Sequence, residues 1–281
     1  MSAATELGPP IAGPSALGGS PRRFAYLALT LAATEFKLRF FGSALGYLWQ
    51  LVRPLMLFGV LYFVFTQFVK IGEGVTFYPV VLLANIVLFT FFQEGTGAVA
   101  SVVDREGLVR KIHFPRMAIP VSVVLTAGFN LVLNLCVVLV FALASGVTPR
   151  WSWLQAPVLV VLLAALVIGL AMLLSALYVR YRDVKPIWEV ALQVLFYATP
   201  VIYAVETIDV AAWIREAIMM SPIAAILEQF RHAVIDPAAP TAAEAARGGL
   251  RLLVPAAILV GVVVLGYRVF DRAAPRIAEE L

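Results

Sequence analysis

Six apolar stretches dominate this chain, at about residues 48–69, 78–103, 117–144, 154–178, 186–205 and 250–270. Each reaches the length of roughly 20 residues that an α-helix needs to cross a hydrocarbon core about 30 Å thick. The sequence therefore predicts an all-α integral membrane protein with six transmembrane helices. Composition agrees, since 62% of residues are hydrophobic and 14% charged, where soluble domains run near half and a quarter. The spans use up most of the 281 residues, so one membrane domain over 22–281 is expected. Residues 1–21 are rich in Gly, Pro, Ala and Ser without apolar periodicity and read as a disordered cytoplasmic tail.

Charge sets the orientation. If six cations lie outside or in outer segments (Lys70, Arg150, Arg215, Arg231, Arg247 and Arg251), the other 15 of 21 fall in inner loops or beside inner membrane ends. Six spans with both termini cytoplasmic satisfy that bias. The net charge of +4 needs no nucleic-acid partner, because cations beside membrane ends orient the chain and meet anionic lipid. The single cysteine, Cys136, permits no intrachain disulfide, and His113 and His232 give no metal-ligand spacing.

Between the tail and the first span, residues 22–41 read as an interfacial helix, with Phe24, Leu27, Leu31, Leu38 and Phe41 on one broad face. Phe36 and Phe40 lie off that stripe and Glu35 at its edge, which suits contact with both lipid and protein. Arg22-Arg23 before an apolar run faintly resembles a twin-arginine signal, but Glu35, Lys37 and Arg39 follow without a convincing cleavage site. Gln93 and Glu94 are too polar to face lipid and are expected to point into protein or water. Asn130 and Asn134, one turn apart, suit interhelical hydrogen bonds. Pro200 is placed to kink the fifth span. Residues 206–249 mix short apolar runs with charges and predict re-entrant or interfacial helices, broken at Ser221-Pro222. Gly42 and Gly46 form a small-xxx-small pair of little weight.

The charged island DREGLVRKIHFPRMAIP (104–120) lies between two spans. Leu108 and Ile112 share a helical face, Val109 and Phe114 add apolar surface, and Pro115 ends the turn. This is either a short amphipathic helix able to pass force to a soluble partner or an ordinary positive-inside loop.

The run LVRKIHFPRMAIP resembles the cytoplasmic coupling segment of permease subunits of ABC-2 type polysaccharide exporters. LGYLWQLVRPL (45–55), YVRYRDV (178–184), ATPVIY (198–203) and SPIAAILEQFR (221–231) resemble other stretches of that family in the same order. The resemblance covers nearly everything after residue 22 and implies a set of roles. Leu108, Arg110, Lys111, Ile112, His113, Phe114 and Arg116 would dock an ATPase. Arg182 and Asp183 would stand at the cytoplasmic end of the channel. The first and fifth spans would line it, making Phe58, Tyr62, Phe65, Trp188, Phe196 and Tyr203 candidate wall residues. Glu94 is a further candidate. Two gate helices at the outer mouth would hold Pro222, Glu228 and Arg231. Aromatics at helical spacing also fit a lipid-facing belt.

No G-x-x-x-x-G-K-[ST] loop occurs in the sequence, so nucleotide phosphates are not cradled here in the usual way. No catalytic residue, cofactor or metal site is expected in this chain. ATP and Mg would be bound by a separate nucleotide-binding subunit, present in two copies. Six helices enclose too little space for a polymer, which calls for a second copy of the chain. The expected cargo is a lipid-linked polysaccharide, and the expected location is the bacterial inner membrane, in contact with membrane lipid. An ABC-2 drug or lipid exporter is the near alternative. A membrane-embedded glycosyl- or acyltransferase is the distant one, since no His–Asp/Glu pair or DxD-like site converges, and Glu206, Asp209 and Glu228 look like gate or surface residues.

Overall fold

The computed structural model describes residues 20–40, 46, 48–69, 72, 74–107, 114–207, 210–275 and 277. Among them all regular structure is helical. In chain order the helices are α1 (Pro21–Phe40), α2 (Leu48–Val64), α3 (Tyr78–Thr96), α4 (Ser101–Asp104), α5 (Ala118–Ala144), α6 (Gln155–Arg180), α7 (Val184–Ala198), α8 (Ala212–Met219), α9 (Pro222–Phe230), α10 (Ala242–Ala245) and α11 (Leu253–Ala273). Five helical stretches among the described residues are long and apolar enough to span a membrane: Leu48–Val69, Tyr78–Ala100, Ala118–Ala144, Trp151–Arg180 and Gly249–Ala273.

The expected span over 186–205 takes a different form. Helix α7 has 15 residues, about 22 Å at 1.5 Å per residue. Thr199 is extended, with φ −90° and ψ 147°, because the ring of Pro200 excludes the helical region for the residue before it. Pro200 thus ends the helix instead of kinking it. The chain continues as a buried non-helical segment whose carbonyls are held by α3. The Asn85 amide donates to Pro200 O at 3.0 Å and the Tyr78 hydroxyl to Ile202 O at 2.8 Å.

Helix α3 is the centre of the bundle, with nearly every residue from Val80 to Phe92 buried. It runs antiparallel to α7, pairing Phe92 with Trp188 and Phe89 with Phe196 at ring-centroid distances of 6.3 and 5.2 Å. Its last third is less regular than one continuous span, since Gly97–Ala100 tightens into a 3₁₀ turn before α4.

Helices α6 and α11 run parallel. Leu159 and Pro255 share a groove near their N-terminal ends, while Val179 and Ala274 share an apolar cluster near their C-terminal ends. Between those levels they touch backbone to backbone. A Cβ on Gly266 would lie 2.1 Å from the carbonyl oxygen of Gly169, so both positions require glycine for the helices to meet. Gly46, of the pair noted in the sequence, is instead a turn residue with φ 44°, and Gly42 lies outside the described residues.

The buried stripe of α1 is shifted from the expected one. Ala28 and Ala32 are fully buried, Phe36 meets Phe129 of α5 edge to face at 5.5 Å, and Glu35 pairs with Arg105. Leu38 points outward. Phe24, Leu27 and Leu31 lie at the margins of this contact, and Phe41 is outside the described residues. Small side chains allow the two backbones to approach, and alanine carries little hydropathy signal.

Candidate functional site

One end of the bundle is built around an apolar cluster that joins Val102, Phe114, Met117, Ile119, Met172, Val179 and Phe270. Phe114 is 9% exposed and Arg116 5%. Both therefore turn into the chain itself. The Arg116 guanidinium donates to the carbonyl of Ala274, just past α11, where an unsatisfied helix carbonyl and the negative end of the dipole favour a cation. Leu108, Arg110, Lys111, Ile112 and His113 lie outside the described residues.

Arg182 and Asp183 are exposed between α6 and α7. The Arg182 guanidinium lies 5.0 Å from the Tyr178 ring centroid, a cation–π contact that leaves its donors free. Asp183 occupies the N-cap of α7 without bonding a helix amide.

The aromatic candidates fall into two groups, anchored on different faces of α3. Phe58 stacks on Tyr62 at 5.6 Å and meets Phe141 of α5 at 5.8 Å. Phe65 is half-buried in the π-helical turn Phe65–Val69 that continues α2. Trp188, Phe196 and Tyr203 pack against the core from the α7 side. At about 100° per residue, Tyr78, Asn85, Phe89 and Phe92 share the face of α3 toward α7. Val87, Thr90, Phe91 and Glu94 occupy the opposite face, toward α2 and α5, so one chain does not gather both groups into one wall.

On that opposite face α2, α3 and α5 enclose a cavity of about 100 Å³ lined by Gln50, Arg53, Thr90, Glu94, Asn130 and Asn134 together with apolar neighbours. The Asn130 amide donates to Glu94 Oε2 at 2.8 Å, and the Asn134 amide donates to the Asn130 carbonyl at 2.9 Å. Glu94 thus points into protein, as its polarity requires. Gln50 went unnoticed in the sequence, although a buried amide one turn before Arg53 and Pro54 was a readable signal.

At the other end, α9 carries Glu228 and the π-helical turn Arg231–Ile235 carries Arg231. These two are 3% and 4% exposed. Arg231 bridges Glu206 at 2.6 Å and Glu228 at 3.2 Å, tying the segment after α7 to α9. Burial pushes the Glu228 carboxyl up to about 7 against the pull of Arg231, and the Glu206 carboxylate adds to the rise. One cation between two carboxylates is neutral only when one of them holds a proton. Pro222 supplies the first residue of α9, where its missing N–H costs nothing.

The described residues form a helical bundle with five helices long and apolar enough to cross a membrane and a cavity with polar walls between three of its helices. The chain belongs to the ABC-2 type transporter family, whose model matches residues 26–235. It is 30% identical over 217 residues to the O-antigen export system permease protein RfbA of Myxococcus xanthus, covering 77% of this chain and 83% of that one. It is also 27% identical over 208 residues to a Klebsiella pneumoniae protein of the same name, with 73% and 78% covered. A second Klebsiella pneumoniae permease of that name is 26% identical over 209 residues, with 73% and 79% covered.

Proposed function

We propose that this chain is the permease subunit of an ATP-driven exporter that moves a lipid-linked polysaccharide from the cytoplasmic to the outer face of the bacterial inner membrane. The observation that carries the reading is its likeness, over most of both chains, to permeases named for O-antigen export.

The geometry supports the details. Helices α6 and α11 are parallel, so the chain between them crosses the bundle once. Helix α7 and the segment to Ile202 make that crossing along α3. In this reading the chain makes six crossings over 22–281 with both termini on the cytoplasmic side, the cations beside membrane ends supporting that orientation. Residues 206–249, with α8 and α9 as short helices, form the outer gate. The two aromatic groups on different faces of α3 supply two walls that face each other when a second copy is added. The inner loop at 108–113 takes force from two copies of a nucleotide-binding subunit, which holds ATP and Mg. Arg182 and Asp183 stand at the entrance.

The test is co-purification of the tagged permease with the ATPase encoded beside it, together with measurement of cytoplasmic lipid-linked glycan after permease depletion. A complex and trapped glycan are expected. A complex without trapped glycan would transfer the cargo to the drug or lipid class, and no complex would remove the ATP-driven reading.

A further inference from the structure

The cavity between α2, α3 and α5 has a chemistry that the family assignment leaves open. Its polar walls mix acceptors and donors. Asn130 is 3% exposed and its Oδ1 has no hydrogen-bond partner, a costly state for a buried amide oxygen. One Glu94 oxygen and the Asn134 and Gln50 side-chain oxygens also lack a protein donor, while Arg53, Thr90, the Gln50 amide and the second amide hydrogens of Asn130 and Asn134 are the donors of the lining.

This mixture selects the ligand. An acyl chain would strip water from a carboxylate and three amides and return no hydrogen bond. A phosphate has no donors at neutral pH beyond its last proton and would meet the Glu94 carboxylate. A bare cation would meet the Arg53 guanidinium. A neutral hydroxyl both donates and accepts, so several hydroxyls on one edge satisfy the acceptors and still take a bond from Arg53. The volume equals about three waters at roughly 30 Å³ each, which admits two or three ring hydroxyls and excludes a whole ring.

We propose that this cavity is a sugar subsite, holding the hydroxylated edge of one residue of the exported glycan behind α2, with Asn130 as its central acceptor. The proposal rests on the polysaccharide export reading, and the experiment separates the two. A photoreactive amino acid replaces Leu57, which lines the cavity, and in a control replaces Val161, which is 65% exposed on α6. Cells exporting their own glycan are irradiated, and the purified permease is probed for carbohydrate by periodate staining, with surface glycan measured in parallel.

Carbohydrate adducts are expected at Leu57 and not at Val161. Asn130→Leu is expected to reduce both adduct and surface glycan by about three- to tenfold, the worth of one hydrogen bond. Asn130→Ser, which keeps an acceptor, restores at least part of both. Asn134→Leu repeats the test at a position whose amide bonds only its own helix. Export with no adduct at Leu57 would overturn the subsite and leave the export reading intact, as would unchanged adduct and export in both leucine variants. Absence of any glycan export by the unsubstituted permease would sink the export reading itself.

Discussion

Helices α2 and α3 are neighbours of similar length and hydropathy, yet 11% of the first span is buried against 78% of the second. Hydropathy alone says that both belong in the membrane. Which one the protein wraps and which one it leaves open depends on side chains that pair with something. Helix α3 carries Tyr78, Asn85 and Glu94, each bonded to another element. In α2 only Gln50 and Pro54 are buried. In lipid an apolar surface gains little by being covered with another apolar surface, so packing and hydrogen bonds decide association. An open span is then a surface awaiting lipid or a second copy.

The contrast is most directly broken at two phenylalanines. Phe92 on α3 is 1% exposed and packs on Trp188. Phe92→Ala is expected to cost about 3–5 kcal/mol of stability, read as a large fall in melting temperature in detergent. If the loss were below about 1 kcal/mol, α3 would not be the centre of the bundle.

A sharper form concerns the charged link between the α7 side and α9. With Glu228 raised to about 7 by burial, the folded protein holds the proton more tightly than the unfolded chain. Its contribution is fully present below about pH 4.5 and is lost as pH rises through 7, on the order of 3 kcal/mol. Melting curves of the native protein should therefore fall across that window, and those of Glu228→Gln should be flatter. A parallel fall in both would assign the pH dependence to other groups.

The smallest effect belongs to the open helix. Phe63 of α2 is 59% exposed, and Phe63→Ala should change the melting temperature of the dispersed single chain by the equivalent of about 0.5 kcal/mol or less. Cross-linking between copies should weaken in the same variant. A melting loss as large as that of Phe92→Ala would mean that α2 is packed within its own chain.

Much of this arrangement was legible from residue order. All five long spans and the inward aim of Glu94 followed from apolar length and the cost of a charge in lipid. What escaped had weak local signals. The α1 contact is made by Ala28 and Ala32, which a hydrophobic stripe does not highlight. The closest helix crossing uses Gly169 and Gly266, far apart in sequence and in no recognisable spacing. The burial of Phe114 and Arg116 had no local signal, since only the folded chain provides the cluster and the Ala274 carbonyl that draw them inward. Phe58, Tyr62, Trp188 and Phe196 do lie on helices, whereas Tyr203 falls past the end of α7, and the division of the groups between two faces of α3 depends on tertiary neighbours.

The inward turn of Phe114 and Arg116 has a mechanical consequence. Through that aromatic ring and that guanidinium, Phe114 and Arg116 are fastened to α4, α6 and the C-terminal end of α11. A displacement of either residue is then shared at once by three helices far apart in sequence. Helix α2 has no residue in that cluster, so it is not tied to the block they form.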